Sequence, residues 1–212
     1  MENFTNFKTK YPLATTLFNN WAEQGKDKGM EKGHSKSVDF MIREIADRLE
    51  SPFTFIDFGC GNGWVVRKIG KIENCISAMG IDGAKKMIEK AVKTDHINKY
   101  VCADLVKWIP RKPVDVILSM EVLYYLENPQ KTINRICNSW LNLNGTLILG
   151  IDHYTENKPS LNWPEECGVN MNTKTIIFWL DIVKKAGFKN VNWWQVGQKG
   201  DWCGTLVIRA DK

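Results

Sequence analysis

Two rhythms of apolar residues alternate along this chain. Short, nearly continuous apolar runs near residues 53–58, 76–81, 99–103, 114–119 and 145–151 predict strands buried on both faces. Between them, apolar positions return every three or four residues, which predicts helices near 63–71, 84–94 and 129–142. Strands that alternate with helices in this way call for a parallel sheet covered on both sides. The rhythm changes at the end. A helix near 173–186 stops at Gly187, and two strands near 189–196 and 202–210 follow, joined by a short Gly-containing turn. That pair reads as a hairpin, so the last strand should run antiparallel to the rest.

The first 35 residues read as an appendage. Leu13, Leu17 and Trp21 share one face of a helix expected over 11–21. A Gly- and Lys-rich loop should then run to His34. Ser35 or Ser37 would cap the next helix, whose face carries Val38, Met41, Ile42, Ile45 and Leu49, and which Ser51-Pro52 ends. The expected division is an arm or lid over 1–35 and one domain over 36–212.

Composition narrows the class. A chain of 212 residues holds one sizeable core, and 43% hydrophobic with 25% charged residues is ordinary for a globular domain. No apolar run is long enough to span a bilayer, and the N-terminus lacks the pattern of a signal peptide. Six cysteines never fall in C-x-x-C spacing, so reduced thiols in a cytoplasmic protein are expected, with no metal site. The net charge of +5 is mild and the six arginines are scattered, which argues against nucleic acid as a partner.

Chemistry concentrates at the strand ends. The first strand runs into Asp57-Phe58-Gly59-Cys60-Gly61-Asn62-Gly63, the second into Asp82, the third into Asp104. Glycines let a backbone approach a ligand closely. Successive carboxylates on one sheet edge suit a nucleoside-bearing cofactor. Trp64 stands where the dinucleotide fingerprint needs its third glycine, and no phosphate-loop motif is present.

With Asp57-x-Gly59-x-Gly61-x-Gly63, the second-strand Asp82, the segment Cys102-Ala103-Asp104-Leu105 and the segment Val114–Leu126 in that order, residues 36–212 resemble the class I S-adenosylmethionine-dependent methyltransferases, in their small-molecule, ubiquinone/menaquinone-type branch. The resemblance implies a Rossmann-like three-layer α/β sandwich on a seven-stranded, mostly parallel sheet with an antiparallel last strand. It also implies S-adenosyl-L-methionine as cofactor. By position, the turn at Gly59, Gly61 and Gly63 would admit the methionine end, and Asp57 would order that turn. Asp82, beside Gly83, would accept from the ribose hydroxyls. Asp104 and Leu105 would meet the adenine, packed by Met87 and Met120. Relatives often carry His in the fourth-strand segment where this chain has Tyr124-Tyr125.

The expected function is methyl transfer to an N, S or O nucleophile of a small molecule by in-line displacement. The alternatives are a non-catalytic cofactor-binding partner or regulatory module, and a methyltransferase acting on RNA or protein. Candidate catalytic groups are His153, at the end of the fifth strand, His34 in the arm, and Tyr125. A long connection over 152–172 reads as a binding loop. Nine tryptophans raise the prospect of an aromatic pocket for a flat or cationic acceptor.

Overall fold

The structure is a computed structural model and describes residues 11–212. Seven strands form one sheet: β1 Phe53–Phe58, β2 Cys75–Asp82, β3 Lys99–Cys102, β4 Val114–Met120, β5 Leu141–Ile151, β6 Lys189–Val196 and β7 Thr205–Asp211. Their spatial order is β3-β2-β1-β4-β5-β7-β6. Strands β1 to β5 pair in parallel, and β7 runs antiparallel to both β5 and β6. The Rossmann-like sandwich and its antiparallel closing strand are therefore as the sequence leads one to expect. Strand order reverses between β1 and β4. In such sheets the crevice for a ligand opens at that point, beyond the carboxyl ends of the strands.

Alternation along the central strands builds two cores. In β1, Phe53 and Phe55 face one side, while Ile56 and Phe58 face the other. The first side packs against helices α2 (Asp27–Glu44), α3 (Ala46–Leu49), α4 (Trp64–Ile69) and α5 (Lys85–Thr94), through Met41, Leu49, Val66 and Ile88. The second packs against α6 (Pro129–Arg135) and α8 (Ile176–Lys185), with Trp140 and Trp179 fully buried. No helix among the described residues is long and apolar enough to cross a membrane.

Element boundaries differ in three instructive places. The helix expected over 129–142 stops at Arg135 and widens into one π turn, Ile136–Trp140, which seats Trp140 in the core. The connection over 152–172 is not a bare loop. It holds a short 3-10 turn (Lys158–Ser160) and helix α7 (Trp163–Cys167), and its Asn157 and Ser160 are fully buried.

The largest departure is in the arm. The first helix, α1, spans Ala14–Glu23. The Gly- and Lys-rich stretch is not a loop: α2 begins at Asp27 and runs without a break past Ser35. Tertiary contacts override the weak helix propensity of Gly29 and Gly33. Asp27 is buried in the first turn and bonds Lys90 Nζ at 2.6 Å and Asn62 Nδ2 at 3.0 Å. Burial raises the Asp27 carboxyl, but these bonds outweigh it and hold the group below its ordinary range. Helix α1 lies along α5, with Phe18 and Trp21 packed on Ala84 and Met87.

Removing the Asp27 anchor should loosen the arm before it unfolds the sheet. In Asp27→Ala, trypsin should cut at Lys26 or Lys28 about tenfold faster, a local opening eased by about 1–2 kcal/mol, while the main melting transition shifts by only a few degrees. Equal cleavage rates would show that Asp27 does not pin the arm.

Candidate functional site

The turn leaving β1 is the floor of the site. Gly59, Gly61 and Gly63 all take positive φ, at 83°, 52° and 78°, a region that other residues enter only with strain. A side chain at Gly59 would collide with Val122, and one at Gly63 with Tyr100, whereas Gly61 faces open space. Two groups of the second strand hold the turn. The Ile81 carbonyl accepts from the amides of Gly59 (2.8 Å) and Cys60 (3.0 Å), and Asp82 Oδ2 accepts from the Gly61 amide at 2.9 Å. The other oxygen of Asp82 accepts from the Ala84 amide at 2.7 Å. Burial raises the Asp82 carboxyl, and the amides of Ala84, Gly61 and Gly83 partly offset that rise.

Asp57 does not order this turn, contrary to the sequence expectation. Among the described residues no donor bonds its carboxyl; β2 does that work instead. The Asp57 side chain is buried and lines the cavity over the turn. Burial first, and the neighbouring Asp82 second, push it well above the usual carboxylate range.

The cavity is bounded by this turn, by Met87 of α5, by Met120 and Glu121 at the end of β4, and by Asp27, Met30 and His34 of α2. Its free volume is about 40 Å³, little more than a water molecule occupies. The arm closes it: Thr15 of α1 stands over Gly83, 2.8 Å from where a Cβ would be, and Asn19 accepts from the Lys86 amide at 2.8 Å. The described part of the arm thus narrows the approach to the glycine turn.

Other sequence candidates sit elsewhere. His153 is fully buried; Nδ1 meets the Ser160 carbonyl at 2.9 Å and Nε2 meets Thr173 Oγ1 at 2.8 Å. A carbonyl only accepts, so Nδ1 carries the proton and Nε2 accepts from the threonine. Burial lowers its pKa, against the Ser160 bond. It is a neutral, fully bonded strut beneath the 152–172 segment and does not line the cavity. Tyr125 also stays off the cavity lining. It packs edge-on against Phe18 of the arm, and its hydroxyl lies 3.4 Å from that of Tyr124. Asp104 caps its own turn, accepting from the Val106 amide at 2.9 Å. It is exposed beside Lys107, and Leu105 packs on the core behind it. Of the nine tryptophans only Trp64 lines the cavity.

Two residues that matter were not singled out from sequence. Asp27 and Met30 stand three apart on α2 and His34 four further on, one helical face that a loop reading conceals. Glu121 has φ 62°, a strained backbone for a buried non-glycine residue, held by its amide bond to Gly150 O at 2.9 Å. Its carboxylate accepts from Tyr124 Oη at 2.6 Å and from the Asp152 amide at 2.5 Å. Burial, then Asp152, raises its pKa well above the usual range.

Comparison with known proteins adds a family. A profile described as "Methyltransferase domain" matches residues 34–192. Over 118 residues the chain is 32% identical to a malonyl-[acyl-carrier protein] O-methyltransferase of Halalkalibacterium halodurans, covering 52% of this chain and 43% of that one. Over 116 residues it is 31% identical to a trans-aconitate 2-methyltransferase of Rhizobium rhizogenes, covering 54% and 44%. Each match thus takes in less than half of the relative's length. In fold, the chain is similar to one in the complex between the Haloferax volcanii Trm112 methyltransferase activator and a methyltransferase, with a TM-score of 0.82, 23% identity and coverage of 92% and 96%.

The electrostatics of Asp57 give a stability test. A carboxyl whose folded pKa is raised costs nothing at acid pH, where both states are protonated; the cost grows as pH rises above the ordinary carboxyl value and is complete once pH passes the raised one. Asp57→Asn should therefore melt about 3 °C or more above the wild type at neutral pH, a gain of ~1 kcal/mol. The gain should vanish as pH falls. A lower melting temperature at neutral pH would mean the carboxylate is compensated.

Proposed function

The chain belongs to the methyltransferase-domain family, and from that premise we propose that it transfers a methyl group from S-adenosylmethionine to a small-molecule acceptor. The carrying observation is the pair Asp57 and Asp82 around the glycine turn. One buried carboxyl has no donor among the described residues, and the other keeps a lone pair beyond the amides that face it. An ammonium and a ribose diol are the donors that such a pair lacks.

When bound, S-adenosylmethionine supplies an electrophilic methyl carbon on a sulfonium whose leaving group is a neutral thioether. The chain's own residues then position and shield. Asp57 holds the amine and Gly61 admits the chain beside it. Asp82 accepts from the ribose, next to Gly83, while Met87 and Met120 offer apolar walls to the base. Asp104 and Leu105 close the far end only if the exposed Asp104 turns toward the adenine. Alignment of acceptor with methyl carbon and exclusion of water provide most of the rate. The described part of the arm, residues 11–35, acts as the lid on the domain of residues 36–212, and it brings His34 to the cavity. His153 and Tyr125 take supporting roles under this reading rather than proton transfer. Six free cysteines support a reducing, cytoplasmic setting.

A protein partner is a second reading. β3 is a sheet edge; beside it Val92 is exposed in a groove that Ile88 and Cys102 also line, and Ile97, two residues before the strand, is exposed. The Haloferax volcanii neighbour was solved with its activator, and an activator docked on this edge would cover those residues.

Calorimetric titration tests the main reading. S-adenosylhomocysteine should bind the wild type near micromolar, and Asp82→Ala should weaken it by about tenfold or more. Absence of wild-type binding sinks the reading. For the second, Val92→Glu with Ile97→Glu should abolish co-purification with an activator of the Trm112 type and leave the affinity of the isolated chain for S-adenosylhomocysteine unchanged. Failure of the unsubstituted chain to co-purify removes it.

A further inference from the structure

Beyond the carboxyls assigned to the cofactor, the end of the sheet gathers a second charged cluster. His34 of α2, Glu121 after β4 and Asp152 after β5 bring one side-chain ligand atom each within 4.8 Å of one another. Glu121 and Asp152 are both buried, and His34 lies at 3.4 Å from Asp152 Oδ2. The other oxygen of Asp152 is fully buried and has no hydrogen-bond partner among the described residues. No lysine or arginine lines the cavity among the described residues, and Lys90 is committed to Asp27. Two adjacent buried carboxylates face one imidazole. Such a site is short of positive charge, and an unpartnered buried carboxylate oxygen is costly.

Two kinds of ligand supply positive charge there, a metal ion and an ammonium. Each oxygen of Glu121 accepts one bond, from the Tyr124 hydroxyl or the Asp152 amide, and keeps a lone pair. One imidazole and two carboxylates are also a ligand set that divalent ions use, so activity retained in EDTA is what separates the two. An N–H donor needs only a lone pair, and Asp152 Oδ1 has one to give.

We propose that the methyl acceptor is an amine, bound as its ammonium against Asp152 and Glu121, with His34 taking its proton. This rests on the methyltransferase reading above and narrows its acceptor. The ammonium gives one proton directly to Nδ1 of His34, the ring nitrogen that does not face Asp152. The freed nitrogen lone pair forms the N–C bond while the C–S bond breaks, and that electron pair stays on sulfur. The product leaves as a methylated ammonium, and half-buried His34 returns its proton to solvent. The same charge distribution opposes an anionic acceptor. The relatives named for malonyl and trans-aconitate substrates act on carboxylates, which two buried acids and no lining cation would repel.

The test uses the whole chain with radiolabelled S-adenosylmethionine. The acceptor panel contains primary and secondary amines, with carboxylic acids, alcohols and thiols of matched carbon skeleton. Label should enter amines, without added metal and in the presence of EDTA. Asp152→Asn should raise the KM for the best amine by about tenfold or more, with the affinity for S-adenosylhomocysteine changed less than about twofold. His34→Gln should lower kcat and leave that affinity intact. Label entering acids, alcohols or thiols in preference, no label in any amine, an Asp152→Asn KM equal to the wild type, or activity lost to EDTA would each overturn the proposal. Loss of S-adenosylhomocysteine binding by the wild type would instead overturn the methyltransferase reading.

Discussion

A shortage of donors for the carboxyl groups at the carboxyl edge of the sheet is the constraint around which the site is built. Asp57, Glu121 and Asp152 are withdrawn from water there, Asp82 partly so, and among the described residues no lysine or arginine lines the cavity that Asp57 and Glu121 face. Buried carboxylates without partners oppose folding. They are sustained because the strands that carry them are gripped from both faces by extensive apolar packing, from Phe55, Val116 and Leu118 on one side to Phe58, Trp140 and Trp179 on the other. Stability is drawn from the core and spent at the strand ends, where a cationic ligand would relieve the repulsion.

Backbone groups answer the charge where they can. The amides of Gly61 and Ala84 face Asp82, and the Asp152 amide faces Glu121. Such contacts fix side chains without neutralising them, so the carboxyls stay available to donors from a ligand. Strain at Glu121 belongs to the same arrangement. A positive φ there, pinned by the bond to Gly150, is what aims the carboxylate back toward β5 and the cavity.

The arm completes this edge. Asp27 carries its own cation in Lys90, and so contributes an anchor where the other acids contribute an unmet need. By packing α1 over Gly83 and Met87 it also leaves almost no free space above the turn. Closure of this kind raises the strength of every charge interaction inside.

Sequence alone determined the fold class and the location of the site. Buried runs alternating with helical periodicity, three strand-end acids and a glycine turn are local patterns, and the sheet order places them on one edge. It also placed the antiparallel last strand, since a hairpin is a short-range signal. Only the tertiary structure decided which acids are short of partners and which groups of the arm reach the cavity. Helix α2 forms through a glycine-rich stretch because Asp27 finds Lys90, 63 residues away, and local propensity cannot report such a contact. His153 falls silent because Ser160 and Thr173 take both its nitrogens. Glu121 gains its place through a strained φ that no residue pattern encodes. Periodicity and turn chemistry are written in neighbouring residues, whereas charge balance in a buried site is a sum over segments that meet only when the chain is folded.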